Sequence, residues 1–246
     1  METSALNEMF EVDESHPWYK ARLVLIERLI QKIANKNAKI LDFGCGSGAV
    51  AGYLKSFGYN NIEGVDVSQA CVERTKARGI KASKINIDKS RFPSTKYDII
   101  MLLDVLEHVK NDKALMQLLK KCLDINGQML ITVPAHKLLW RYHDEINLHF
   151  RRYSKKELSK LISDSGFEIK FIRWWNSFLF PVFLTSSFIE RIFKITLNKK
   201  NVNGIDFKSS PRFFSSMILK LLIFESQNLI FGRIVGVSLV AVVSAK

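Results

Sequence analysis

The chain is 246 residues long, 47% hydrophobic and 25% charged, which excludes a disordered polymer and fits one large domain with a sizeable core. Its net charge is +13, and the surplus is uneven: residues 151–246 hold sixteen Lys/Arg against six Asp/Glu, whereas residues 1–20 hold five acids and one lysine. Three scattered cysteines with no CxxC pair argue against a disulfide framework or a zinc knuckle, and for reduced thiols in a cytoplasmic protein.

After an acidic lead without the apolar stretch of a secretory signal, residues 16–34 place Leu23, Ile26, Leu29, Ile30 and Ile33 at helical spacing. The period then changes. Residues 38–44 read as a buried strand ending in glycines, 49–58 as a helix closing on Gly58, and 61–68 as a second strand. A helix over 69–79 stops at Gly79. Strands over 80–87 and 97–104 follow, and a helix with a turn over 111–127 leads into a fifth strand over 128–134. Ser154 and Glu157 form an S-x-x-E capping box that opens a helix, and a sixth strand runs on to residue 174. The β-branched run 234–245 is a seventh strand.

Strands alternating with short helices indicate right-handed parallel βαβ units. The expected fold is α/β: a doubly wound, seven-stranded, mostly parallel sheet with a helical insertion before the last strand, and ligands at the carboxyl ends of the strands. One domain covers 1–246, with a helical cap over 1–35, a cofactor-binding core over 36–173, an apolar helical insertion over 174–233 and the last strand at 234–246.

The run LDFGCGSG at 41–48 follows a strand and opens a helix. Its three glycines let the backbone turn tightly and approach a ligand without Cβ clashes. Asp66 ends the next strand about twenty residues on, where a carboxylate can accept bonds from both hydroxyls of a ribose. Loop, strand order and acid together indicate an adenosine-containing cofactor. The glycine spacing is G-x-G-x-G, unlike the dinucleotide G-x-G-x-x-G. Asp42 beside the loop would repel a pyrophosphate but suits an ammonium group, which favours S-adenosylmethionine over a nicotinamide dinucleotide.

With ILDFGCGSG, GVDVS, IDKSRFPSTKYDII, LLDVLEHV and INGQMLITVP in that order, the chain resembles the class I S-adenosylmethionine-dependent methyltransferases, well over residues 36–173 and loosely beyond. The resemblance implies that Asp42, Gly44 and Gly46 hold the methionine part of the cofactor, with Cys45 a small filler of the loop. It implies that Asp66, beside Val67, holds the ribose, that Asp88 meets the adenine amino group, and that Asp104 closes the other side. Asp88 stands five residues before Pro93, as the family pattern asks, although Ile87 replaces a preceding glycine. In the run VLEHV, Glu107 and His108 fall near the methyl-transfer end. His108 reads either as a general base or as a packed, helix-terminal histidine.

The run RYHDEINLHFRRYS at 141–154 lies between the fifth strand and the Ser154 cap, so it should cross the carboxyl edge of the sheet beside the expected methyl group. It resembles a bacterial branch of the same family with a W-x-x-H-D…H-x-R-R-Y-S pattern. Trp140, His143, Asp144, His149, Arg151, Arg152, Tyr153 and Ser154 carry it here, with Leu148 where relatives often have glycine. That branch tends to carry an aromatic and an arginine in its first helix, matching Trp18, Tyr19 and Arg22. Its members are often linked to lipid, quinone or cell-envelope glycan pathways. The resemblance implies a substrate loop in which Trp18, Arg22, His149, Arg152 and Tyr153 meet the acceptor, an arginine pairing with a carboxylate or phosphate. His143 is a second candidate base, and a structural role for some of these residues stays open. A metal reading of His143, Asp144 and His149 is disfavoured by their spacing and by the adjacent arginines, so no metal is expected.

Residues 181–197 and 212–231 read as two helices with wide apolar faces. These either pack on the sheet or form an interfacial surface toward an anionic membrane and a lipid-like acceptor. The longest uncharged run, 174–189, has 16 residues and a proline, short of the roughly 20 needed to span a bilayer. The expectation is S-adenosylmethionine-dependent methyl transfer, to oxygen of a small-molecule or lipid-linked acceptor, in the cytoplasm or peripherally on the inner face of the membrane. Its rivals are an RNA methyltransferase, suggested by the charge, a catalytically silent binding module of the same fold, and a nicotinamide oxidoreductase. Nucleic acid is not favoured, because its recognition wants basic and aromatic residues interleaved over a broader surface.

Overall fold

The computed structural model describes residues 16–86, 95–193, 212–228 and 234–246. Asp88, Pro93 and the stretch 194–211 lie outside these residues. Helix α1 (Pro17–Ile33) begins where the sequence places it: the His16 ring accepts the Trp18 N–H at 3.2 Å, and Pro17 occupies the first turn, where no N–H is needed. There follow β1 (Ile40–Phe43), α2 (Ala49–Ser56), β2 (Ile62–Asp66), α3 (Gln69–Ala77), β3 (Lys81–Lys84) and β4 (Tyr97–Leu103). Then come α4 (Asp112–Lys120), β5 (Leu123–Pro134), α5 (Tyr142–Ile146), α6 (Lys155–Asp164) and β6 (Phe167–Trp175). Helices α7 (Phe180–Phe193) and α8 (Arg212–Asn228) precede β7 (Ser238–Ala245).

The strands form one seven-stranded sheet in the order β3-β2-β1-β4-β5-β7-β6. Strand β7 runs antiparallel to both of its neighbours, and every other pair is parallel. Helices cover both faces, so the central strands are apolar on both sides. Ile100 and Leu102 of β4 join one core cluster with Leu115 and Leu119 of α4 and Leu158 of α6. Ile99, Met101 and Leu103 join a second with Leu25 and Ile26 of α1 and Leu54 of α2. The capping box at Ser154 is present as expected, with Ser154 and Glu157 exchanging bonds.

The expected helix over 111–127 is shorter than its apolar pattern suggests, and β5 begins five residues early. Cys122 and Leu123 are both buried, and the Cys122 carbonyl accepts the Tyr97 N–H at 2.9 Å. Pairing with the first residue of β4 thus stops the helix before Gly127, where a Cβ would meet the Tyr97 carbonyl oxygen at 2.8 Å.

The insertion buries part of its apolar surface and leaves part of it exposed. Leu222 of α8 is buried in the second core cluster, beside α1, while Val182, Phe188 and Ile192 of α7 and Met217 and Phe224 of α8 are exposed. No helix among the described residues is long and apolar enough to cross a membrane. The return into β7 is tight. A Cβ at Gly236 would stand 2.3 Å from the Trp175 carbonyl oxygen. Gly236→Ala should therefore lower stability by about 1–3 kcal/mol, the range for overpacking. Urea unfolding measures this, and an unchanged midpoint would show that the turn relaxes freely.

Candidate active site

The turn between β1 and α2 is built for close approach. Gly44 has φ +78°, and a Cβ there would stand 2.6 Å from Cγ2 of Val105; Gly48 has φ +71°, with Thr75 Oγ1 at 2.8 Å. The N–H groups of Gly44 and Cys45 both donate to the Val65 carbonyl, at 2.8 and 3.1 Å. Asp66 ties this turn to the next: its carboxylate accepts from Gly46 N–H at 2.9 Å and Ser68 N–H at 2.8 Å. Its orientation is therefore fixed before any ligand arrives. Val67 beside it is exposed at the rim. Cys45 is buried, its Sγ 3.4 Å from Thr75 Oγ1, and burial pushes its thiol well up, so it fills the loop as an inert group.

Asp42 closes the inner end of this cradle. Burial pushes its carboxyl up to about 7 against the pull of Arg22, and Asp66 adds to the rise. Across from it, Asp104 follows β4 with φ +57° and pairs with Arg22 Nη2 at 2.8 Å. The Arg22 guanidinium lies 5.4 Å from the ring centre of Trp18, which in turn stands 5.4 Å from Trp175. The first-helix group expected at the site is thus assembled there, with its positive charge already matched.

Glu107 and His108 form the short 3-10 turn after Asp104. Glu107 is 1% exposed; burial and then the Asp104 charge push its carboxyl far above the usual range, and its Oε2 has no hydrogen-bond partner. His108 opens to the cavity. Loss of water around its ring, and then the neighbouring His149, lower it to about 4.

The run 141–154 folds around Asp144, which is fully buried in α5. The Asp144 carboxylate accepts from Arg152 Nε at 2.8 Å and from the Arg141 N–H at 2.9 Å, and lies 2.8 Å from His149 Nδ1. Burial works against its charge, but these partners hold the carboxyl down at about 2. Two of the residues expected to meet the acceptor are engaged within the fold. Arg152 lines the cavity, with its Nε donating to Asp144 and its Nη1 to the Ala135 carbonyl at 3.2 Å. Tyr153 does not line the cavity; its hydroxyl donates beneath it to Asp112 Oδ2 at 2.8 Å. His143 does line the cavity. Asn147 Nδ2 lies 3.0 Å from its Nε2, and burial lowers it to about 4. Leu148 adopts φ +56°, the conformation that suits the glycine expected at that position.

These turns enclose one cavity of about 730 Å³ at the carboxyl edge of the sheet, a size that suits a cofactor and an acceptor together. One end is the glycine cradle with Asp42 and Asp66; the other has His108, His143 and Arg152, with Trp18, Leu179 and Phe183 as an apolar wall. The cradle admits no Cβ, one acid is buried beside it and a second is preoriented. That set fits a ligand with an ammonium group at one end and a ribose at the other. Asp104, His136, Leu148 and Asn176, the non-glycine residues with positive φ among those described, all lie at or beside this edge. The sequence placed Glu107 near the methyl-transfer end without a role, and did not single out the Arg141–Glu190 pair at 3.2 Å. The cue for Glu107 was the E-H step directly after β4; for Glu190, 49 positions from Arg141, there was none.

Comparison with known proteins agrees with this architecture. A family model described as a methyltransferase domain matches residues 18–170. A ubiquinone biosynthesis O-methyltransferase from Rickettsia canadensis is 27% identical over 175 residues, 60% of this chain and 72% of that one. An uncharacterized protein of Methanocaldococcus jannaschii is 31% identical over 147 residues, 58% and 61% of the two chains. Among solved structures, the methyltransferase complexed with the Haloferax volcanii Trm112 activator superposes with a TM-score of 0.64 at 16% identity, covering 99% of this chain and 96% of that one. The plantazolicin methyltransferase BamL, bound to S-adenosylhomocysteine and a triazolic desmethylPZN analog, gives 0.57 at 20% identity, covering 98% and 90%.

Proposed function

The chain belongs to the methyltransferase-domain family and is an S-adenosylmethionine-dependent enzyme, and we propose that its acceptor is a hydroxyl oxygen on a small, lipid-like molecule. The observation that carries the acceptor class is the state of the cavity's cations. Arg22, Arg141 and Arg152 are each paired, with Asp104, Glu190 and Asp144. The wall they frame is apolar, formed by Trp18, Leu179 and Phe183. Such a pocket suits a neutral, greasy acceptor better than a phosphate-bearing polymer. The relatives named for O-methylation in ubiquinone biosynthesis support oxygen as the acceptor atom.

S-adenosylmethionine supplies an electrophilic methyl group on a sulfonium. Asp42 would receive its ammonium end, Gly44 and Gly46 admit its backbone, and Asp66 would take the ribose hydroxyls. Asp104 would close the far side of the cofactor. Glu107, His108 and His143 face the methyl end. The two histidines are uncharged near neutrality and weakly basic, so positioning of the acceptor in line with the methyl carbon does most of the work.

Asp42 makes the cofactor step pH-dependent. Its carboxyl is neutral below about 7, facing Arg22, Asp66 and Cys45, and a cationic ligand favours the ionised form. Affinity for S-adenosylmethionine should therefore rise about tenfold from pH 5.5 to pH 7. Calorimetry should show proton release on binding at pH 6, and Asp42→Asn should bind more weakly with a flat profile. A flat profile in the wild type would remove Asp42 from this role.

The function itself is tested by supplying S-adenosylmethionine with a labelled methyl group to the protein with fractionated cell extract. Label in an ether-linked methyl of an organic-phase molecule is the expected result. Cofactor binding with label only in RNA, or in none of the fractions, would overturn the acceptor assignment.

A further inference from the structure

We propose that Glu107, His108 and His149 together hold a divalent transition-metal ion at the acceptor end of the cavity. One ligand atom from each of the three residues lies within 4.8 Å of the others. They come from two segments that the fold pins together: the Phe150 N–H donates to the Glu107 carbonyl at 2.8 Å, and the His108 ring bonds to the Asn147 backbone. The imidazoles of His108 and His149 meet edge to face at 4.6 Å.

Two further observations point to a ligand rather than to packing. The Glu107 carboxyl is 1% exposed, and its Oε2 has no partner, although a buried carboxyl oxygen is costly to leave unmatched. His149 is oriented from behind, with Asp144 Oδ1 2.8 Å from its Nδ1, which leaves Nε2 as the coordinating nitrogen. A carboxylate behind the imidazole is the usual support of a metal-bound histidine.

Charge does not oppose the ion. Arg22 and Arg152, the nearby guanidiniums, are matched by Asp104 and Asp144, so Glu107 is left as an unmatched acid. Two imidazoles and one carboxylate suit Zn²⁺, Fe²⁺ or Co²⁺ better than Mg²⁺, which prefers oxygen ligands. Bonds of about 2.1 Å would need the three atoms to close to roughly 3.4 Å, with His108 exchanging its bond to the Asn147 backbone for the ion.

The inference rests on the hydroxyl reading above and deepens it. The remaining coordination positions face the cavity, where an acceptor hydroxyl would bind. Coordination acidifies that hydroxyl, and its proton passes to water at the cavity mouth. The oxygen lone pair forms the new bond to the methyl carbon. The methyl–sulfur bond breaks, with its electron pair staying on sulfur.

The test uses the full chain, stripped with chelator and desalted. Titration with Zn²⁺ by calorimetry should show one equivalent bound, and Co²⁺ should give visible bands of a nitrogen- and oxygen-ligated ion. Glu107→Gln, near-isosteric in the buried position, and His108→Asn, at the mouth, should each weaken binding at least tenfold. His136→Asn, outside the cluster, should not. No binding of either ion at millimolar concentration, or unchanged affinity in both ligand variants, would overturn the site. Full methyl transfer to a hydroxyl by the stripped, non-binding chain would sink the ion and leave the hydroxyl reading intact. Stoichiometric binding in an enzyme that methylates no hydroxyl would keep the ion site and remove that reading.

Discussion

Asp144→Ala should cost the protein about 3–5 kcal/mol of stability, the penalty for stranding a buried charge by removing its partner. The stranded group is Arg152, which is 5% exposed and spans from Asp144 to the Ala135 carbonyl. The same substitution frees the Arg141 N–H and the His149 ring. For a chain of this size the melting temperature should fall by roughly 10 °C. Asp144→Asn keeps one acceptor and should lose less. The contribution is pH-dependent with a defined sign. A carboxyl held at about 2 stabilises the fold above its ordinary value near 4, and that stabilisation disappears as the pH falls toward 2. A melting temperature within 2 °C of wild type would mean that the run 141–154 is a surface loop and not a brace.

Removal of Asp66 should act on the cofactor and hardly at all on the core. Hydrogen bonds to a charged acceptor are worth about 1.5–3 kcal/mol each, so loss of the ribose contacts should weaken S-adenosylmethionine binding about 100-fold in Asp66→Ala. The Gly46 and Ser68 N–H groups lose their acceptor at the same time, which loosens the glycine turn. Calorimetry with S-adenosylhomocysteine measures the effect without turnover. A loss smaller than fivefold would show that the ribose is held elsewhere.

The sheet and the glycine cradle were legible because local rules govern them. Glycines with positive φ, strands that are apolar on both sides, and an acid at a strand end all leave marks within a few residues. The other end of the cavity was legible only in part. Its location beside the fifth strand followed from chain order, but the roles of Arg152 and Tyr153 did not. Whether an arginine is free or matched depends on which acid the fold brings to it, and Asp144 and Asp104 reach Arg152 and Arg22 only through tertiary structure. Likewise, the start of β5 depended on Cys122 and Leu123 being buried against β4, which an amphipathic pattern cannot distinguish from a last helical turn.

Strand β7 sits between β5 and β6, pairing Leu130 with Val242 and Phe167 with Ala245. During synthesis, therefore, both partner strands must wait, with open hydrogen-bonding edges, for a segment made more than sixty residues after β6. Such long-range closure is slow and exposes sticky edges. The nascent chain can pair β1 to β5 before β6 has a neighbour. Order of manufacture thus sets order of closure: the glycine cradle can form first, and the far edge of the sheet is completed last.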